Sequence, residues 1–332
     1  MLVKPDNIKQ LVALKDGKVF PIDSMVMRKT YNFNDQEKHL VPNSLCIVCD
    51  YRFYEKKIKW SDKIKAICHP FRDDSIFPKN INKYLFSESD FCSKHLTPIS
   101  SKSTVFTGIK YDFVYFTLFS LQGIRCKGLY MLEIIDKAAR SLGINGLVVD
   151  YDVKDSKKYT EPIYTESLDK VKNSLASLSN LRIVKRHCTQ DEVCSVMKVS
   201  KFVMMPSTSD ASPRLLVESI VRGVPVLVNS HIYGGWKYIT ENTGVFFDGL
   251  SLNDYFNNNK SKFNEATDSL IQAMSSVLRN PPDTELGMKI YYKKYGFYNA
   301  AKTLATIVNE STGMNYEMVA FKEWRSLLKR KS

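Results

Sequence analysis

The sequence predicts an α/β protein: a parallel, doubly wound sheet flanked by helices, preceded by a smaller and less regular region. Three observations carry this expectation. From about Thr104 onward strand-like and helix-like patterns alternate, and a succession of βα units builds a parallel sheet. The strand-like runs are apolar at consecutive residues, as in Tyr111–Phe119 and Gly146–Asp150, which suits strands buried on both faces. Lys201–Asn229 then reads as a buried strand, a polar loop, a short helix, a stopping glycine and a second buried strand.

The elements follow in order. Tyr111–Phe119 is the first strand of the regular region, and a loop containing Gly123 and Lys127-Gly128 leads from it into a helix over Leu129–Leu142. That helix places Leu132, Ile135, Ala139 and Leu142 on one face, the spacing of a core-facing stripe. Gly143 stops it, and Gly146–Asp150 is the next strand. Thr160–Leu178 is polar and helix-permissive, Leu181–Lys185 is a strand and Gln190–Val199 a short helix. Phe202–Met205 and Pro225–Val228 are strands around a helix over Pro213–Val221, which Gly223 ends. Asn257–Asn259 marks an exposed loop, Pro281-Pro282 ends a helix, and helical patterns cover Glu285–Asn309 and Asn315–Arg330. In the first hundred residues, Ser44–Cys49, Lys65–Cys68 and Lys83–Phe86 read as short strands between basic loops. The resulting domains are residues 1–103, 104–282 and a helical tail over 283–332.

A chain of 332 residues is long enough for two modest domains with cores of their own. Hydrophobic content of 44% and charged content of 25% are ordinary for a globular protein. Seven cysteines lie scattered; Cys46-Ile47-Val48-Cys49 alone has CxxC spacing, on a strand-like run that points the two to opposite faces and makes a poor metal clip. An odd count without a framework implies free thiols in a reducing compartment. No apolar signal core opens the chain and no run approaches the ~18 apolar residues of a membrane span, so the expected location is cytoplasmic. A net charge of +13, densest at Lys56–Lys65 and Lys329–Lys331, favours anionic partners: nucleotide phosphates, nucleic acid or an anionic membrane surface touched peripherally.

The polar loop before Pro213 lies at the carboxyl end of a strand, where open α/β sheets bind ligands. Unpaired N–H groups in the first turn of a following helix attract phosphate, here near Ser212, Pro213, Arg214 and Leu215. Arg214 adds a charge suited to a phosphate oxygen. Asp210 and Glu218, with seven residues between them, flank this turn. The combination describes a pocket for a molecule carrying both phosphate and hydroxyl groups. The alternative is a structural role, with Asp210 capping the helix and Glu218 paired to Arg222 four residues on.

Asp210–Glu218 (DASPRLLVE) resembles the acid-x7-Glu motif of GT-B glycosyltransferases, especially the retaining family 4 type. Pro213, Leu216, Glu218, Gly223 and Pro225-Val226 fall in register, whereas Asp210, Ser212 and Arg214 stand where many members have Glu, Phe and Asn. The resemblance implies two Rossmann-like domains facing a cleft, the N-terminal one reduced, with the tail crossing back to the first domain. It also assigns roles: Asp210 to the hydroxyls of the donor sugar, Glu218 to a ribose hydroxyl pair, Ser212–Leu215 to the diphosphate. Members carry a Gly-Arg and then a Lys-Gly pair after the first strand of the second domain. Lys127-Gly128 matches, the arginine position is Gln122, and Arg125 is the nearby substitute. Fixed cations of this kind stabilise a departing diphosphate as an oxyanion hole does, so no metal is implied. The loop Arg186-His187-Cys188 falls where the family contacts the base, and His69, in Ile67-Cys68-His69-Pro70, where it presents a histidine to the donor sugar. Ser87-Glu88-Ser89 matches a late turn of the first domain, and the similarity covers about Cys46–Asn280.

The function this implies is transfer of a hexose or pentose from a nucleotide diphosphate sugar, UDP-sugar favoured, to a hydroxyl of a glycan or similar acceptor, with retention and without a cofactor. Two other classes stay open at this stage. One is a DNA-modifying glycosyltransferase acting on hydroxymethylated bases; the other is a non-catalytic nucleotide- or nucleic-acid-binding protein, suggested by the departures at Asp210 and Gln122.

Overall fold

The computed structural model describes residues 10–15, 18–23, 45–47, 66–92, 110–151 and 161–312. The chain divides into two compact units, Met1–Leu96 with Tyr292–Ser332, and Thr97–Tyr291. In the first unit β1 (Gln10–Lys15) and β2 (Lys18–Asp23) pair antiparallel. The sequence reading contained no such hairpin, although Asp16-Gly17 between the strands is a dipeptide that two-residue hairpin turns favour. Strands β3 (Leu45–Ile47), β4 (Ala66–His69) and β5 (Asn82–Leu85) form a parallel sheet in that order. The central β4 is buried throughout, as its apolar Ala-Ile-Cys run requires.

The second unit holds β6 (Phe113–Thr117), α1 (Leu132–Leu142), β7 (Gly146–Asp150), α2 (Pro162–Ser174), β8 (Leu181–Lys185), α3 (Gln190–Val199), β9 (Phe202–Met205), α4 (Arg214–Ile220), β10 (Val226–Asn229) and β11 (Gly244–Phe247). Helices α5 (Leu252–Phe256) and α6 (Lys260–Arg279) complete it. The six strands are all parallel in the order β11-β10-β9-β6-β7-β8. The chain therefore winds outward from β6 to β8, returns to the other side of β6, and winds outward again from β9 to β11. This is the Rossmann order, and its reversal between β6 and β9 opens a crevice at the carboxyl ends of those two strands.

Alternate strand residues face opposite sides, and both sides are covered. Phe113, Tyr115, Val148, Met204 and Leu227 join α1, α2 and α6 in one core. Val114, Leu147, Val149, Val203, Val226 and Val228 are fully buried on the other face. Phe113 and Phe202 are register partners and stack with ring centroids 5.1 Å apart. Gly146 makes room for them, because a Cβ there would lie 2.4 Å from the Phe113 ring. Helix α3 starts with a capping box: Thr189 Oγ1 accepts from Glu192 N at 3.3 Å and Glu192 Oε2 accepts from Thr189 N at 2.8 Å. Thr189→Ala is expected to cost about 1 kcal/mol in urea unfolding.

Several elements differ from the expectation. The first strand of the sheet is shorter than Tyr111–Phe119, and the segment read as a loop after it contains a π-helical turn, Gly123–Lys127. A short 3-10 turn, Leu129–Met131, then precedes α1. The pattern over Glu285–Asn309 is two helices, α7 (Thr284–Lys294) and α8 (Gly296–Thr312). Gly296 breaks it with a φ of 77°, and Asn299 Nδ2 donates to the carbonyls of Tyr292 and Lys293 that the break exposes. Helix α8 packs in the first unit, where Tyr84 Oη donates to Glu310 Oε2 at 2.9 Å. Strand β11 was not foreseen. The helix read over Asn315–Arg330, the basic stretches Lys56–Lys65 and Lys329–Lys331, and Cys49 lie outside the described residues.

Candidate functional site

Two loops meet at the reversal of the sheet. The π-helical turn after β6 ends on Lys127 and closes on Gly128, which has a φ of 70°. A Cβ at Gly128 would lie 2.5 Å from the Pro206 carbonyl oxygen, so this turn rests directly on the loop that follows β9. Tyr115 Oη donates to the Lys127 carbonyl at 2.6 Å and anchors the turn from beneath. The loop after β9 is held from its other side by the end of β10 and the segment beyond it. Asn229 Nδ2 donates to Pro206 O at 3.2 Å, Tyr233 N to Thr208 O at 3.0 Å and Gly234 N to Asp210 O at 2.9 Å. Gly234 and Gly235 allow this approach: a Cβ on Gly234 would lie 1.9 Å from the Ala211 oxygen, and one on Gly235 2.4 Å from Pro213 Cγ.

This clamped loop forms one wall of a cavity of about 300 Å³. Lys127, Asp210, Ser212, Arg214, Leu215 and Glu218 line it, together with Tyr151, Cys188, Gln190 and Val193. Lys127 Nζ donates to Asp210 Oδ2 at 2.7 Å, with side-chain exposures of 25% and 15%. The other carboxylate oxygen of Asp210 accepts from Ser212 N at 3.3 Å. Arg214 is exposed and makes no ion pair or hydrogen bond through its side chain among the described residues. Glu218 is only 5% exposed, and among the described residues its carboxylate has no hydrogen-bond partner. The structural alternative for Glu218 is not what forms, since Arg222 Nη1 donates to the Glu218 main-chain carbonyl at 3.0 Å.

Six of the sequence-predicted residues thus share one cavity, and the others do not line it. Arg125 sits behind the loop, donating to Ser209 Oγ at 2.5 Å and lying 5.9 Å from the Tyr164 ring centroid. Pro213 is buried at the N-cap of α4. Arg186 and His187 are exposed, and the Arg186 guanidinium pairs with Glu192 at 2.5 Å; the buried residue of that loop is Cys188. His69 belongs to the first unit, where it is buried beside Phe77, ring centroids 4.9 Å apart. Tyr151, Gln190 and Val193 were not singled out from the sequence. The usable signal was position: Tyr151 directly follows β7, and Gln190 opens the helix after β8.

Electrostatics in the cavity follow from this packing. Burial alone would lower the Lys127 pKa, but the field of Asp210 and the bond to it reverse the effect, and the ammonium is held above its ordinary 10.5. Burial, and then the Glu218 carboxylate, push the Tyr151 phenol well above 10. Burial also raises the Cys188 thiol, and raises Cys194 to about 11, so both stay protonated at neutral pH and neither is a prepared nucleophile. The Glu192 carboxyl is lowered from 4.5, chiefly by the Thr189 backbone N–H. Its contribution to stability is present above pH 4.5 and is lost as the pH falls below that value. No His/Cys/Asp/Glu cluster fit to hold a metal occurs among the described residues, and no helix there is long and apolar enough to cross a membrane.

Two cations and two carboxylates thus line a cavity at the switch point of a Rossmann-ordered sheet, the place where open α/β sheets bind ligands. In fold the chain is similar to GT-B glycosyltransferases of known structure. It matches a sucrose-phosphate synthase from Thermosynechococcus elongatus with a TM-score of 0.55 at 12% identity, over 80% of this chain and 67% of that one. A UDP-forming α,α-trehalose-phosphate synthase from Burkholderia xenovorans matches with a TM-score of 0.55 at 8% identity, over 91% of this chain and 90% of that one. The pneumococcal O-GlcNAc transferase GtfA, solved with UDP and GlcNAc, matches with a TM-score of 0.52 at 10% identity; this chain spans 65% of its length and is itself covered to 91%. No protein-family model and no curated protein matches the sequence.

Proposed function

We propose that this protein is a metal-independent glycosyltransferase that takes a sugar from a nucleoside diphosphate sugar, UDP-sugar favoured, and transfers it to a hydroxyl of a glycan or similar acceptor with retention. The observation that carries the reading is the convergence of Lys127, Arg214, Asp210 and Glu218 on one cavity at the sheet's switch point. Lys127 and Arg214 bind the diphosphate and stabilise its charge as it departs. Glu218, buried and with a carboxylate that has no hydrogen-bond partner among the described residues, accepts from the ribose hydroxyls, and Asp210 accepts from hydroxyls of the sugar. The C1–O bond to phosphate breaks, a C1–O bond to the acceptor forms, and the acceptor's proton passes to a diphosphate oxygen. These steps use residues of the second unit alone.

The test is thermal unfolding with UDP, GDP, ADP and their sugars. A ligand at a hundredfold its dissociation constant adds about 2.7 kcal/mol, and the largest shift is expected for UDP and its sugars. Glu218→Gln should weaken UDP binding at least tenfold, because bonds to a charged group contribute about 1.5–3 kcal/mol. Absence of any shift with all of these nucleotides at millimolar concentration would refute the proposal.

A further inference from the structure

Two cations face the cavity, but they stand in different states. Arg214 is exposed and unpaired among the described residues, whereas Lys127 is bound to Asp210 at 2.7 Å. The Asp210 carboxylate therefore occupies the place on Lys127 that a diphosphate oxygen would take. Resting on the donor-site reading above, we infer that Asp210 competes with the diphosphate for Lys127 and thereby selects against the free nucleotide product relative to the sugar-bearing donor.

The argument is an exchange of partners. A diphosphate that captures Lys127 strips a part-buried carboxylate of its cation, and an unpaired charge in such a position is costly. The Ser212 N–H is the one other donor to that carboxylate among the described residues, at 3.3 Å. A nucleotide sugar brings hydroxyl donors to the vacated carboxylate and restores what it lost. A bare nucleoside diphosphate brings none, and its own negative charge is held close to that of Asp210. The same side chain thus assists binding of the donor and opposes retention of the product, which speeds product departure after transfer. Backbone restraints keep the competition in place: Gly234 N holds the Asp210 carbonyl at 2.9 Å and Tyr115 Oη holds that of Lys127 at 2.6 Å. The exchange is therefore made by the side chains, on a main chain that is held at both partners.

The experiment is calorimetric titration of UDP and of UDP-glucose into the wild type, Asp210→Asn, Asp210→Ser and Lys127→Met, each first checked by its ligand-free melting curve. Asp210→Asn is expected to bind UDP about tenfold more tightly than the wild type, the equivalent of one charge-assisted contact, and to bind UDP-glucose no more tightly. Asp210→Ser should repeat this pattern and guards against a misfolded asparagine variant. If both variants bind UDP with unchanged or weaker affinity, or gain equally for both ligands, the inference is overturned, while weakened binding by Lys127→Met would leave the donor site standing. UDP binding indifferent to Lys127→Met would remove the donor site and this inference together.

Discussion

Lys127→Met is expected to lower turnover of the nucleotide sugar by about a hundredfold to a thousandfold, the scale seen when one fixed donor to a developing anion is removed. The methionine keeps the length and apolar bulk of the side chain but deletes the cation. The ammonium is rigidly delivered: the π-helical turn closes on Gly128, Gly128 lies against Pro206, and Tyr115 holds the Lys127 carbonyl. A charge positioned in advance requires no reorganisation at the moment the diphosphate leaves, so its loss should appear mainly in kcat. Arg214 remains in the same cavity and accounts for the residual rate. Release of nucleoside diphosphate in a coupled assay is the readout, and a loss of less than fivefold would mean Lys127 does not serve the leaving group.

Gly234→Ala should be strongly damaging for so small a substitution. Its Cβ would lie 1.9 Å from the Ala211 oxygen and 2.5 Å from the Ala211 carbonyl carbon, backbone atoms that no side-chain rotation can move aside. The loop carrying Asp210 and Ser212 must therefore shift, stretching the 2.9 Å bond from Gly234 N to Asp210 O. Overpacking of this kind costs about 1–3 kcal/mol, and misplacing a binding loop by about 1 Å costs on the order of a hundredfold in rate. Gly143→Ala supplies the contrast. Gly143 has a φ of 64° and nothing within 4 Å of the added Cβ, so only the left-handed backbone is strained, at about 1–2 kcal/mol. Urea unfolding should show a loss in both variants, and nucleotide-sugar turnover should fall in Gly234→Ala alone.

The sheet of the second unit was largely legible because its strands carry their own evidence. Gly146–Asp150 and Phe202–Met205 match the observed strands, since runs buried on both faces are almost wholly apolar; Leu181–Lys185 matches too, as an edge strand with Arg182 and Lys185 exposed. Strand β11 escaped for the opposite reason. Val245 and Phe246 are only partly buried at the sheet edge, so the apolar run is just Val-Phe-Phe, too short to stand out even though Asp248-Gly249 after it is a turn signal. The break at Gly296 escaped because a helical pattern continues on either side of it, and only the positive φ reveals the interruption. In the site, Asp210, Arg214 and Glu218 stood out because a Pro–helix–Gly–strand frame placed them at a strand's carboxyl end. Tyr151 and Gln190 did not, because the one signal they carry, a place soon after a strand, is shared by ordinary loop residues.

Local sequence thus determined which segments became strands and helices in the second unit, and that acids and bases gather after its fourth strand. Period and polarity are properties of neighbouring residues and need no partner to be read. Tertiary structure alone decided that Lys127 and Asp210, on loops from two different strands, meet at 2.7 Å. It also decided that Arg222 bonds the backbone of Glu218 and leaves that carboxylate to the cavity, and that paired glycines far along the chain hold the acidic loop in place. The Lys127–Asp210 contact depends on the strand order, in which β6 and β9 become neighbours although three helices and two strands separate them in sequence. No window along a single chain contains that adjacency.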